Sequence, residues 1–116
     1  MKYMLLIYGD EQAAAHATPD QLQQVADAYD EFTQSIRGSG NYLDGDPFEP
    51  TGAATTVRVR DGKASRATGP ADTSAEQLIA YYKVEAGSPD QALEMASRIP
   101  GARTGSIEVR PVMRFD

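Results

Sequence analysis

The spacing of apolar residues along the chain predicts three strands, at its beginning, middle and end. Residues 2–8 form a continuous apolar run that stops at Gly9 and Asp10, a pattern typical of a strand buried on both faces. Residues 77–86 and residues 105–115 can each be divided into two alternating sets, so each is expected to form a strand with one set facing a core.

Two further strands are predicted around a tight turn. Residues 54–60 alternate between two faces, and Asp61-Gly62 is a two-residue hairpin signal. Residues 63–67 are therefore expected to return as the partner strand. The glycine- and proline-rich stretch before this hairpin is predicted to be loop, with room for a short strand at residues 41–43.

The first of two predicted helices has a complete start signal. Thr18 is the N-cap, Pro19 is the first helical residue, and Gln21 completes a capping box. Gly38 and Gly40 end the helix. Its apolar side is predicted from residues spaced three and four apart, namely Leu22, Val25, Tyr29, Phe32 and Ile36.

The second helix repeats this start signal at Ser88-Pro89 and ends before Pro100. Residues 11–17, by contrast, are predicted to be a loop of small residues. The apolar side of the second helix is predicted from Ala92, Leu93, Ala96 and Ile99.

The elements follow one another as strand, helix, paired strands, helix and strand. Because crossover connections are right-handed, both helices are expected on the same face of one antiparallel sheet. We therefore predict one α+β domain covering residues 1–116, with a ferredoxin-like βαββαβ order and an elaborated central hairpin.

One face of this sheet would be left without helices, yet it carries large apolar side chains. On the first strand, Met4, Leu6 and Tyr8 point away from the face of their equally apolar neighbours. An exposed apolar face of this size usually marks an interface, so we expect a homodimer in which two such faces form a dimeric α/β barrel. The alternative is a monomer with an exposed apolar sheet face.

Charge and composition exclude several classes of function. The 116 residues include 17 acidic and 11 basic side chains, and the net charge of −6 argues against nucleic acid or an anionic membrane as the main partner. Cysteine is absent, which excludes disulfides and thiolate sites and favours a cytoplasmic protein.

The apolar start is too short for a signal peptide or a membrane span. With one histidine and no nucleotide-binding or hydrolase motif, we predict no metal and no cofactor.

Charged side chains are expected on the sheet face without helices. If the valines of residues 54–60 and the apolar residues of the last strand face the helices, their charged neighbours face the other way. Arginines on a half-buried face need partners, which could be an anionic ligand in the barrel or Glu108 in a lattice that closes the dimer. The side chains expected there are Arg58, Tyr81, Lys83, Glu108 and Arg110.

Two carboxylates and the only histidine lie near the end of the first strand. Asp10 and Glu11 could act as acids, bases or metal ligands, or they could form a solvated turn. His16 could form a dyad with Asp10 or Asp20, or it could be an exposed loop residue.

Five segments in order along the chain resemble the YCII-related family, in particular its DGPF subgroup. They are the opening MKYMLLIYGDE, residues 54–63, residues 76–82, residues 90–100 and residues 105–113. This resemblance spans nearly the whole chain, and it implies a dimeric α/β-barrel fold. It also implies relatives that act on small molecules, one type eliminating halide from a lactone, and subgroup members encoded beside sigma-factor-like proteins.

The chain differs from this subgroup at the motif that gives the subgroup its name. Where the subgroup has Asp-Gly-Pro-Phe, the chain has Thr68-Gly69-Pro70-Ala71. The glycine and proline of the turn are kept, but the carboxylate and the aromatic ring are absent. Any role of that aspartate in the family therefore does not transfer to this chain.

Two functional hypotheses follow. The first is a small-molecule-binding protein or lyase/isomerase-type enzyme with its pocket in the dimeric barrel. Arg58, Tyr81 and Arg110 would hold an anionic substrate there, and Asp10 or Glu108 would serve as the catalytic base. The second is a non-catalytic accessory or regulatory protein that binds a sigma-factor-like transcription regulator.

Overall fold

The computed structural model describes residues 1–115 of the chain and contains six strands and three α-helices in these residues. The strands are β1 (Lys2–Asp10), β2 (Tyr42–Pro47), β3 (Thr55–Arg60), β4 (Lys63–Thr68), β5 (Glu76–Glu85) and β6 (Ser106–Pro111). The helices are α1 (Glu11–Ala15), α2 (Pro19–Gly38) and α3 (Pro89–Ser97), with short 3-10 turns at Thr51–Ala53 and Pro100–Arg103.

The strands form two separate antiparallel sheets. The larger has four strands in the order β2-β5-β1-β6, and the smaller is the β3-β4 hairpin alone. The chain is thus of mixed α+β class, as predicted.

The hydrophobic core lies between the four-stranded sheet and the helices α2 and α3. Alternate residues of β1, namely Tyr3, Leu5 and Ile7, are buried on this side because successive side chains of a strand point to opposite faces. The helices and the segment after α3 complete one contiguous cluster with Phe32, Ile36, Ala92, Met95, Ala96 and Ile99. The side chains of Met4, Leu6 and Tyr8 lie on the other face, which no helix covers, and are only half-buried.

The start of α2 confirms the predicted capping box, but the predicted apolar side is wrong in its first half. Thr18 accepts from the Gln21 amide, and the Gln21 side chain accepts from the Thr18 amide. Leu22 and Val25 are 48% and 52% exposed, and the predicted apolar side is buried only in the C-terminal half of the helix, at Phe32 and Ile36. The first turns of α2 therefore stand clear of the sheet.

The hairpin β3-β4, here called the arm (residues 55–68), is regular in structure but packs against almost nothing. Asp61 and Gly62 have φ values of 52° and 75°, the two positive values that a type I′ turn requires. Val57 and Val59 are each 59% exposed. The condition that these valines face the helices is therefore not met, because β3 pairs only with β4 and does not join the main sheet.

Three local predictions also need correction. Residues 11–15 form α1 rather than loop, because the Asp10 carboxylate caps an alanine-rich segment of high helix propensity. The last strand ends at Pro111 rather than 115, since its partner β1 begins at Lys2. Leu93 of α3 is 54% exposed instead of buried.

A register shift in the larger sheet accounts for a further difference. Ile7 of β1 pairs with Ala80 of β5, but the next residue, Tyr8, pairs with Leu78, so Ile79 forms a bulge. The bulge reverses the side to which the residues before it point, so Leu78 is 37% exposed although unbroken alternation from the buried Tyr82 and Val84 would direct it to the core. Within residues 1–115, none of the helices has an apolar stretch that could span a bilayer.

Candidate functional site

An apolar hollow, here called the cleft, lies between α2 and the β2-β5 half of the larger sheet. Its volume is about 480 Å³, within the range of small-molecule sites. From α2 it is lined by Val25, Ala26, Tyr29, Asp30, Thr33 and Arg37. From the sheet it is lined chiefly by Gly45, Asp46, Ile79, Ala80, Tyr81 and Tyr82.

Two irregularities of the sheet shape the floor of the cleft. The bulge at Ile79 allows consecutive residues, Ile79 and Ala80, to contribute to the same wall. Gly45 of β2 lies directly against the Tyr82 ring, since a Cβ at position 45 would come within 2.8 Å of Tyr82 Cδ1. The cleft is the space between these two strands and the first half of α2, which is not packed against the sheet.

A small set of hydroxyl groups gives the apolar cleft its polarity. Thr33 Oγ1 donates to the backbone carbonyl of Tyr29 at 2.8 Å, so the Tyr82 hydroxyl donates to Thr33 Oγ1 at 2.7 Å. The Tyr29 hydroxyl accepts from the Gly101 amide at 3.1 Å. Burial raises the pKa of both tyrosines, because it disfavours the charged phenolate.

Charged groups stand at the margin of the cleft. The carboxylates of Asp30 and Asp46 line it and are exposed, so they remain accessible to a ligand and to water. Arg37 lies over the Tyr42 ring, with its guanidinium carbon 4.6 Å from the ring centroid. The cleft therefore offers an apolar interior and a margin with both signs of charge.

Tyr81 belongs to a second polar group on the sheet face without helices. Its hydroxyl donates to Asp44 Oδ2 at 2.8 Å and lies 3.5 Å from Asp46 Oδ2. The hydrogen bond to Asp44 is the main cause that raises the pKa of Tyr81 to about 12. Phe48 stacks on its ring at a centroid distance of 5.8 Å. Tyr81 thus ties the inner strand β5 to the edge strand β2.

Glu108 and Arg110 lie on the same face, as alternation along the last strand predicts. The Tyr8 hydroxyl donates to Glu108 Oε1 at 3.2 Å, and an Arg110 guanidinium nitrogen lies 3.9 Å from Glu108 Oε2. Leu6 pairs with Tyr81 on one side and with Glu108 on the other, so Tyr81 and Glu108 are two strands apart, about 10 Å. Three of the predicted site residues therefore share one face.

Arg58 does not join them. It lies in β3 of the arm, which is separate from the larger sheet. The prediction that Arg58 and Arg110 project from one sheet face is therefore wrong within a single chain. Alternation along a strand predicts which residues share a face, but it does not say which sheet the strand joins.

The remaining predicted residues lie at the base of the arm. Asp10 Oδ1 accepts from the Gln12 amide at 2.9 Å as the N-cap of α1. Glu11 Oε2 accepts from the Thr51 amide at 2.9 Å, and both acids border a hollow of about 350 Å³. His16 is exposed at the end of α1. The structure thus gives both carboxylates local structural partners.

The turn Thr68-Gly69-Pro70-Ala71 anchors the arm to the rest of the molecule. Gly69 has a φ of 105°, a conformation that favours glycine. Its amide donates to the Ala54 carbonyl at 2.7 Å, and its carbonyl accepts from Thr56 Oγ1 at 2.8 Å. The retained glycine therefore has a structural role at this position.

The cleft itself was not predicted from the sequence. One signal that could have indicated it is Gly45 in an edge strand, because a glycine there often marks a close approach of another group. Across residues 1–115, no three histidine, aspartate or glutamate side chains converge as a metal site would need.

Comparison with known proteins gives two matches that extend over the whole chain. A family model described as YCII-related domain matches residues 1–116. The chain is also similar to Uncharacterized protein R00369 of Rhizobium meliloti (strain 1021), with 30% identity over 117 residues. That alignment covers 99% of this chain and 94% of the relative, so the arm and the cleft both fall within the shared region.

Proposed function

We propose that the chain, which belongs to the YCII-related domain family, binds a small molecule in the cleft and acts on it as a lyase/isomerase-type enzyme. The observation that carries this proposal is the cleft itself, about 480 Å³ in volume and lined by tyrosine rings and aliphatic side chains. A concave, mostly apolar site with a few convergent polar groups is the usual form of a small-molecule site.

The chemistry of the walls favours a ligand with an apolar body and a polar end. The body would pack between Tyr29, Ile79 and Tyr82, and the Arg37 guanidinium at the margin suits an anionic or strongly polar end. Asp30 and Asp46 are the carboxylates of the cleft, so we assign the proposed acid-base role to them. Asp10 and Glu108 are not carried into this proposal, because their contacts lie elsewhere.

We further propose a ferredoxin-like arrangement, membership of the DGPF subgroup and a cytoplasmic homodimer of the barrel type. The strand order supports the first, because the four main strands stand in the order second, third, first, fourth and are all antiparallel. The kept Gly69-Pro70 turn supports the second. The half-buried apolar side chains of Met4, Leu6 and Tyr8 support packing of two sheet faces.

Filling the cleft tests the proposed binding function. Ala26 is an exposed residue of α2 that lines the cleft, so Ala26→Phe should occupy its volume without disturbing the core. With 8-anilinonaphthalene-1-sulfonate as the probe, we expect this variant to bind at least about tenfold more weakly than the unaltered protein, a loss of about 1.4 kcal/mol.

Gln24→Phe is the matched control, since Gln24 is exposed on the same helix and does not line the cleft. It should bind the probe as the unaltered protein does. Equal binding by Ala26→Phe and the unaltered protein would show that the cleft is not the site.

A further inference from the structure

The arm presents an apolar face and a basic face, and both are exposed. Its apolar face is formed by Thr55, Val57 and Val59 together with Ala64 and Thr68 across the hairpin, and it also carries Arg66. Its opposite face carries Arg58, Arg60 and Lys63. A two-stranded hairpin is at best marginally stable in water without a surface to pack on. The regular arm with exposed valines therefore needs a partner surface.

The charge of the chain is divided unevenly between the arm and the rest. The arm contains four of the eleven basic residues and one of the seventeen acidic residues, so it carries a charge of +3 and the remainder carries −9. Opposite charges of this size favour association of the arm with some other part of a copy of this chain.

A surface with complementary properties lies along the edge strand β2 and the residues that follow it. Leu43 and Phe48 are 43% and 46% exposed there, and Phe48 stacks on the Tyr81 ring. Asp44 and Asp46 lie at the Tyr81 hydroxyl and Glu49 follows Phe48, so acidic side chains accompany the apolar ones; this surface is here called the acidic edge.

The size and shape of a single copy also indicate missing contacts. Its accessible surface is 8181 Å², whereas a monomer of 12.5 kDa is expected to expose about 6,200 Å². Its radius of gyration is 16.2 Å, against about 13 Å for a compact chain of this length. The excess of about 2,000 Å² exceeds the roughly 800 Å² that each partner buries in an interface of standard size.

We propose that the arm of one copy packs against the acidic edge of a second copy, and the reverse, in a two-fold symmetric dimer. Both surfaces belong to the same chain, and a two-fold axis satisfies both contacts at once. The arm does not fold back on its own acidic edge, because its side chains are exposed. This contact adds to the proposed packing of sheet faces and does not depend on the proposed ligand.

One consequence concerns Arg66, the basic residue on the apolar face of the arm. Asp46 of the acidic edge also lines the cleft, so the arm of the second copy would bring Arg66 towards the cleft margin. Arg58 lies on the opposite face of the arm and would stay directed away from this contact.

Sedimentation equilibrium of two double variants tests which face of the arm makes the contact. Val57→Asp/Val59→Asp places two charges on the apolar face and should raise the dimer Kd by about 100-fold. Ser65→Asp/Ala67→Asp introduces the same charges on the opposite face of the same hairpin, so it weakens only the long-range attraction, and its Kd should rise by about tenfold or less. A monomeric unaltered protein, or equal effects of the two variants, would overturn the proposal.

Cross-linking identifies the surface that the arm touches. The chain has no cysteine, so single cysteines report without interference. A mixture of Val59→Cys and Leu43→Cys chains should form a cross-linked heterodimer with a short bismaleimide. A mixture of Val59→Cys with Leu93→Cys, an exposed leucine on α3, should not. Cross-linking to Leu93→Cys only, to neither site, or to a different co-purifying protein in place of a second copy would refute the assignment.

Discussion

Tyr81 shows how one side chain couples an edge strand to the centre of the sheet. Its hydroxyl bridges from β5 to Asp44 of β2 at 2.8 Å, while Phe48 stacks on its ring. A phenol that donates to a carboxylate loses this bond on ionisation and then faces a like charge. This is why the pKa of Tyr81 rises from 10.0 to about 12.

Alkaline titration tests this pair. The raised pKa favours the neutral phenol in the folded state, so its stabilising contribution is complete below pH 10 and is lost as the pH rises towards 12. We expect the urea midpoint of the unaltered protein to fall across this range. Tyr81→Phe and Asp44→Asn should both flatten that fall. A slope in either variant equal to that of the unaltered protein would contradict the assignment.

At the scale of the elements, local signals in the sequence predicted starts and turns better than packing. The capping box at Thr18 and the Asp61-Gly62 turn are decided by residues close in sequence, and both were correctly predicted. The burial of Leu22 and Val25 depends on whether the sheet extends beneath them. Amphipathic spacing marks a side of a helix that is able to pack, but it does not say what lies opposite.

Removing the N-caps of α2 and α3 should distinguish a loss of local helix stability from a loss of global stability. Thr18→Ala removes a cap whose first turns stand clear of the sheet, so we expect faster amide exchange in residues 19–28 and little change in the global free energy of unfolding. Ser88→Ala removes the cap of α3, which is packed through Ala92 and Met95. That variant should lose about 1 kcal/mol of global stability.

Hydrogen exchange followed by mass spectrometry and urea unfolding measure the two quantities. The amides of Phe32 and Ile36 serve as an internal reference, because both residues are buried and should keep their protection in Thr18→Ala. If Thr18→Ala lowered the global stability as much as Ser88→Ala does, the first half of α2 would have to be packed against the rest of the molecule.

At the scale of the whole molecule, the sequence predicted an α+β class but not the placement of the arm. Residues 54–60 alternate as any half-buried strand does, and nothing in that pattern distinguishes the central strand of a large sheet from an isolated hairpin. The candidate site was divided for the same reason. Tyr81, Glu108 and Arg110 share a face because their strands, β5 and β6, both pair with β1. Arg58 belongs to β3, which pairs only with β4.

The charge division between the arm and the acidic edge predicts a dimer that weakens with salt. Raising NaCl from about 0.05 M to about 0.5 M shortens the range of electrostatic attraction to a few ångströms, so the dimer Kd should rise about tenfold. A dimer held by apolar sheet faces alone should not weaken, because salt does not screen apolar burial.

Charge removal from the arm shows whether its basic residues carry this effect. Arg58→Gln/Lys63→Gln lowers the arm from +3 to +1, so it should raise the Kd at low salt and reduce the dependence on NaCl. Arg103→Gln/Arg114→Gln removes the same charge from residues outside the arm and makes the remainder more acidic. It should leave the dimer as strong or stronger, because the attraction for the basic arm is then increased. Analytical ultracentrifugation at both salt concentrations measures all three proteins, and an equal salt dependence in the two variants would exclude the arm as the source of the attraction.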